Sequence, residues 1–200
     1  MPSDYRVPSG PLETEYEVKK SRFITLLERA ENREQAMAHL ENAKRRFPDA
    51  RHHCWAYLIG NPGAPSQVAM SDDGEPSGTA GKPILNVLQH KDVGDILLIV
   101  VRYFGGIKLG AGGLVRAYSS AAQQAMDAII THDKIFLLEV DVIGDFSLEQ
   151  SIRHWLTGRE GEVISIDYAE QVTMCITLRE SDREALELLL GALGGEIKDN

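Results

Sequence analysis

"DILLIVVRYFGGIKLGAGGLVRAY", Asp95 to Tyr118, decides how this chain folds. From Ile96 to Val101 every position is apolar. A strand that buries one face alternates polar and apolar residues; this one does not, so it is predicted to be the central strand of a sheet covered on both sides. Five glycines then fall within nine positions: Gly105, Gly106, Gly110, Gly112 and Gly113. Beyond them Leu114, Ala117, Tyr118, Ala121, Ala125 and Ile129 recur at helical spacing, with small residues that permit close packing. The stretch therefore reads as central strand, glycine corner, helix.

Moving outward, "EYEVKKSRFITLLERA" reads as a strand interrupted near Lys19–Ser21, and residues 1–14, with three prolines, as a flexible arm. Asn32 with Gln35 resembles a capping box ahead of Ala36, Met37, Leu40, Ala43 and Phe47 at helical spacing, and Pro48 stops the run. "HHCWAYLIG" is a second strand, ended by "NPGAP". The acidic loop "SDDGEPSGTAG" leads to Pro83, suited to the first position of a helix. After residue 134 the order is strand, helix capped by Ser147, two strands, helix capped by Ser181, and a short end at "EIK". That order is a split βαβ unit of ferredoxin-like type. The expectation is an α/β (α+β) protein with an arm over 1–14, one domain over 15–133 and a ferredoxin-like domain over 134–200.

The net charge of −9 is unevenly placed. Residues 1–134 hold 16 Lys+Arg and 16 Asp+Glu, whereas residues 135–200 hold 5 and 14. Phosphate contacts dominate nucleic-acid affinity, so only the first part keeps that option. No segment approaches the roughly 20 apolar residues of a membrane span, and the N-terminus lacks the basic-then-apolar order of a secretory signal. Cys54 and Cys175 have no C-x-x-C partner and read as reduced thiols. The expected location is cytoplasmic, with no membrane partner; oligomeric state is not legible.

At the glycine corner, backbone N–H groups and the positive end of the helix dipole face outward, a setting that binds anions. Arg102, Lys108 and Arg116 are placed to converge on such an anion. The plainer reading is a corner needing positive φ, its cations paired to Asp72, Asp73 and Glu75. No P-loop is present, since Gly81-Lys82 is followed by Pro83, and G-x-G-x-x-G fails at Val115. "HHC" puts His52 and Cys54 on one strand face and His53 on the other, too few ligands for a structural zinc site. Neither metal nor cofactor is expected, and no catalytic residue is assigned.

"SDDGEPSGTAGKPIL" followed by "VVRYFGGIKLGAGGLVRAY", with "KKSRF" and "HHCWAYLIG" upstream, closely resembles the IMPACT (YigZ) family in its bacterial two-domain form. The similarity covers about residues 15–130, and residues 135–200 match the second domain by pattern. The resemblance implies an N-terminal domain like domain IV of elongation factor G (the ribosomal-protein domain-2-like fold) and a C-terminal domain like that factor's last. It implies a non-enzymatic regulator of translation or stress response whose partner is RNA or a ribosome-, RNA- or translation-factor-associated protein. The family supplies no catalytic residues. The motif carries over as a partner- or anion-binding surface of Lys82, Arg102, Gly105, Gly106, Lys108, Gly110, Gly112, Gly113 and Arg116. Two other readings stay open. One is an enzyme binding a phosphorylated small molecule or nucleotide at the same loop, with Mg²⁺ on Asp72 or Asp73. The other is a protein-only adaptor using its acidic domain.

Overall fold

The computed structural model describes residues 4–199. They form two compact units, one over residues 4–134 and the other from Ile135 onward. The first is built on strands β2 (Leu12–Val18), β3 (Ser21–Arg29), β4 (His52–Ile59), β5 (Gln67–Ser71) and β6 (Ile96–Tyr103). Their order is β2-β3-β6-β4-β5, every neighbouring pair antiparallel. β6 lies at the centre, as its unbroken apolar run requires. Ile96, Leu98 and Val100 pack on the face covered by α2 (Gly81–Gln89) and α3 (Ala111–Ala128). Leu97, Ile99 and Val101 pack on the opposite face against α1 (Arg33–Arg46). The same two-residue period carries Arg102 onto the α2/α3 face, where the strand ends.

Within the span expected as a flexible arm, residues 5–8 and 12–14 are strand, and residues 1–3 lie outside the described residues. β1 (Tyr5–Pro8) pairs antiparallel with β7 (Thr131–Lys134), Val7 is fully buried, and the Tyr5 hydroxyl donates to Asp95 at 2.8 Å. Asp95 also accepts the Gly60 N–H and the Lys134 ammonium, at 2.8 and 2.7 Å. Proline count misled here, because Pro8 ends a strand of a two-stranded ribbon, where a missing N–H is tolerated. The α1 cap forms as a box shifted by one residue: Asn32 accepts the Gln35 N–H at 2.9 Å, and Gln35 accepts from Glu31 rather than from Asn32.

The second unit runs β8 (Leu137–Gly144), α4 (Leu148–Leu156), β9 (Val163–Tyr168), β10 (Val172–Arg179), α5 (Arg183–Leu193) and β11 (Glu196–Asp199). The antiparallel order β11-β8-β10-β9 is the ferredoxin-like sheet. Val172, Met174, Ile176 and Leu178 share a core with Leu148 and Ile152 of α4 and Leu186 and Leu190 of α5. Neither serine cap forms. Ser147 is already helical (φ −66°, ψ −18°), whereas an N-cap sits outside helical geometry. Ser181 lies inside a 3₁₀ turn, Glu180–Asp182. Among the described residues no helix is long and apolar enough to cross a membrane.

Candidate functional site

At the end of β6 the ladder sets Arg102 between Phe23 of β3 and His52 of β4. The Arg102 side chain turns under α3 and is 8% exposed. Its Nη1 donates to Glu75 Oε1 at 2.6 Å, and the Tyr118 hydroxyl donates to the same oxygen at 2.8 Å. Cys54 Sγ lies 3.3 Å from that hydroxyl and 3.0 Å from the Asp72 carbonyl oxygen. The guanidinium carbon sits 5.7 Å from the Phe23 ring centroid and 5.8 Å from that of Phe104. Burial pushes the Cys54 thiol up to about 12, with the carboxylates of Glu75, Asp73 and Asp72 adding to the shift against the opposing Tyr118 bond. A protonated buried thiol is a packing group, not a nucleophile. Burial also raises the Tyr118 phenol, helped by Cys54 and Glu75.

The acidic loop is engaged within the chain. Asp72 accepts the N–H groups of Gly78, Ala80 and Gly81 at 2.7, 2.9 and 2.8 Å. It thereby caps α2, whose N-cap position is Ala80. Burial alone raises the Asp72 carboxyl, but those three donors outweigh it and hold it below its ordinary value. Asp73 accepts the His53 N–H at 2.6 Å. The His52 Nδ1–H donates to the Asp73 carbonyl at 2.8 Å, and the His53 Nε2–H to the Phe47 carbonyl at 3.2 Å, from opposite faces of β4. Of the three carboxylates only Glu75 meets one of the expected cations, and that cation is Arg102. Both Asp72 oxygens already face backbone donors and are poor Mg²⁺ ligands, whereas Asp73 commits only Oδ2 in this way. Among the described residues no group of three or more His, Cys, Asp or Glu is placed to hold a metal.

The glycines have separate reasons. A Cβ built on Gly105 would lie 2.0 Å from the Lys20 carbonyl group, and the Gly105 N–H donates to Ser21 Oγ at 3.2 Å. The corner is thus laid directly on the β2–β3 hairpin turn. Gly106 and Gly110 have φ of +87° and +72°, conformations that disfavour a side chain. Gly110 is the N-cap of α3 and Gly112 and Gly113 lie in its first turn, with no side-chain cap and no acidic residue there. Lys19 and Lys20 form the hairpin's two-residue turn with φ of 48° and 64°, positions that normally favour Asn and Gly.

A cavity of about 760 Å³ opens at this corner. Arg102, Phe104, Lys108, Gly110 and Ala111 line it from one side, Asp49, Arg51, His52 and Glu75 from the other. Arg116 lines a separate hollow of about 220 Å³ with Lys19 and Leu109. Lys82 is exposed on the first turn of α2 and lines neither. The structure therefore brings Arg102 and Lys108 together and places Arg116 beyond Leu109, a residue common to both walls. Among the described residues Lys19, Lys20, Arg51, Lys108 and Arg116 make no ion pair, and all five are exposed. Arg51, Asp49 and Phe104 are absent from the sequence-based surface. The pairing of His52 with Arg102 brings the 49–52 segment to the corner, and no spacing rule displays a strand register.

An Impact N-terminal domain model matches residues 19–126, and a Domain of unknown function (DUF1949) matches residues 142–198. The IMPACT family member of Haemophilus influenzae is 40% identical over 92% of this chain and 89% of its own length. The chain belongs to the IMPACT family. YigZ of Escherichia coli, another member, is 42% identical over 86% of this chain and 84% of its own. A crystal structure described as that of an hypothetical protein aligns over 100% of this chain and 98% of its own, with TM-score 0.68 and 36% identity. The fold of this IMPACT family chain and its two family domains are thereby established together.

Proposed function

We propose that this IMPACT family protein is a non-enzymatic regulator of translation or stress response. It binds a ribosome- or RNA-associated partner through the glycine corner. One observation carries the reading: Lys19, Lys20, Arg51, Lys108 and Arg116 are exposed around the corner with no counter-charge among the described residues. Ordinary surface cations gain something from nearby carboxylates, and here Asp72, Asp73 and Glu75 are turned to other groups. Exposed Phe104, Ile107 and Val115 add apolar area among these cations. Cations mixed with exposed aromatic and aliphatic groups suit a polyanion or its protein carrier. Two lysines in left-handed turn positions point the same way, because such conformers cost about 1–2 kcal/mol each and strained backbone clusters at working surfaces.

Co-sedimentation with ribosomal particles, with and without nuclease, tests this. Wild type is expected to sediment with the particles at about 50 mM salt and to be released near 200 mM, as phosphate contacts require. Lys108→Ala with Arg116→Ala removes exposed charge without touching the core and is expected to weaken association about tenfold or more. Association unchanged in that double variant, or unaffected by salt, refutes the reading.

A further inference from the structure

Within that cationic surface, the 760 Å³ cavity combines cationic, aromatic and aliphatic walls. It lies at the uncapped N-terminus of α3, an 18-residue helix. On its floor is a nine-tenths-buried guanidinium that is only partly satisfied. Arg102 donates from Nη1 to Glu75, while its buried Nε and its Nη2 have no acceptor among the described residues. Glu75 likewise uses Oε1 for both its side-chain bonds, and its Oε2 receives no donor among the described residues. Tyr103 and Phe104 supply aromatic walls, and Leu109, Leu114 and Pro76 apolar ones. Phe104, 58% exposed, has its ring centroid 5.8 Å from the guanidinium carbon, at the solvent side of the cavity.

We propose that this cavity is a socket for one nucleoside 5′-monophosphate unit, free or within a single RNA strand. The inference rests on the partner reading above and specifies what the corner holds. Volume, charge and wall chemistry each narrow the ligand. A bare phosphate fills a small part of about 760 Å³, which leaves room for a base and a sugar beside it. The charged walls are Arg51, Arg102 and Lys108 against Asp49 and Glu75, a net charge of +1, which suits the single charge of a strand phosphodiester or one phosphate monoester better than the four charges of a triphosphate. The phosphate takes the α3 N-terminus with Lys108 and the open edge of Arg102, since a helix start and a guanidinium fork both favour oxyanions. The base stacks on Phe104, an interaction open to any base. Glu75 Oε2 is the acceptor available to a sugar hydroxyl. Aromatic rings are of no use to an inorganic anion, and cations are of no use to an uncharged nucleoside. The two together select the nucleotide.

The probes are uridine 5′-monophosphate, uridine, inorganic phosphate, and fluorescent decauridylate as single strand and as duplex with decaadenylate. Amide shifts are followed for residues 104–113, and anisotropy for the oligomers. The monophosphate is expected to shift the amides of Gly110–Gly113 and to bind at least tenfold tighter than uridine or inorganic phosphate. Competition then separates the sources. Displacement of labelled single strand by the monophosphate identifies a strand-borne unit, and monophosphate binding without any strand binding identifies a free nucleotide. Phe104→Ala, at an exposed position, is expected to weaken the bound form about tenfold, and Phe104→Trp to restore it. Binding of uridine monophosphate no tighter than phosphate, or equal affinity of wild type and Phe104→Ala, overturns the socket. A protein that still sediments with ribosomes through Lys108 and Arg116 in that case loses the socket alone; one that does not loses both readings.

Discussion

Two loops flank one cavity and use their charges in opposite ways. In the acidic loop, Asp72 gathers three backbone N–H groups, Asp73 takes the His53 N–H, and Glu75 takes Arg102 and Tyr118. In the glycine loop and the helix after it, Lys108 and Arg116 meet no carboxylate among the described residues. Charge that is satisfied inside the chain holds shape. Charge left outside it is available to something else. Arg102 marks the boundary, because strand periodicity drives it under α3 while the loop that follows stays exposed.

The sharpest way to break this contrast is to empty the acidic side of its deepest member. Glu75→Ala leaves the Arg102 guanidinium buried beside apolar groups without its counter-charge, and is expected to cost about 3–5 kcal/mol in urea unfolding. Adding Arg102→Met is expected to recover much of that loss, since the stranded charge and not the missing bond is the main penalty. Lys108→Ala in the glycine loop is expected to stay within about 0.5 kcal/mol of wild type. Equal effects on the two sides would erase the distinction.

The next contrast is graded by pH. Asp72→Asn turns an amide N–H₂ toward backbone donors, and is expected to cost about 1–3 kcal/mol near neutrality. The Asp72 carboxyl is held below its ordinary value in the folded chain, so the unfolded chain binds the proton more readily. The stabilisation is therefore complete above about pH 4–5 and is lost as pH falls through the folded value. Unfolding curves of wild type and Asp72→Asn are expected to converge in acid. A difference that is constant from pH 7 to pH 3 contradicts the capping role.

How much of this could be read beforehand depends on whether the signal is local. The unbroken run Ile96–Val101 announces a central strand because each residue reports its own burial. The strand and helix order after residue 134 announces the ferredoxin-like sheet for the same reason. β5 escapes, since this short edge strand leaves Val68 and Met70 exposed and its segment follows a proline-rich loop. Glycines at the corner are visible as a motif, yet only the fold separates Gly105, which admits a close backbone, from Gly106, which supplies a positive φ. The partner of Arg102 is hidden because Glu75 lies 27 residues away in a loop. Arg51 and Phe104 are hidden because the register of β4 against β6 brings them to one cavity.

The smallest expected effect bears on why the hairpin under the glycine corner ends in Lys19 and Lys20. Both occupy left-handed conformations that cost an ordinary residue about 1–2 kcal/mol, and Asn-Gly suits such a two-residue turn. Lys19→Asn with Lys20→Gly is therefore expected to stabilise the first unit by about 1–2 kcal/mol. The same change removes two of the five corner cations that make no ion pair among the described residues, so ribosome association is expected to weaken and its salt dependence to flatten by about two phosphate equivalents. Stability and binding then move in opposite directions. That pairing separates a turn held in a costly conformation for its charge from a turn that is merely poorly chosen, for which stability rises and binding stays where it was.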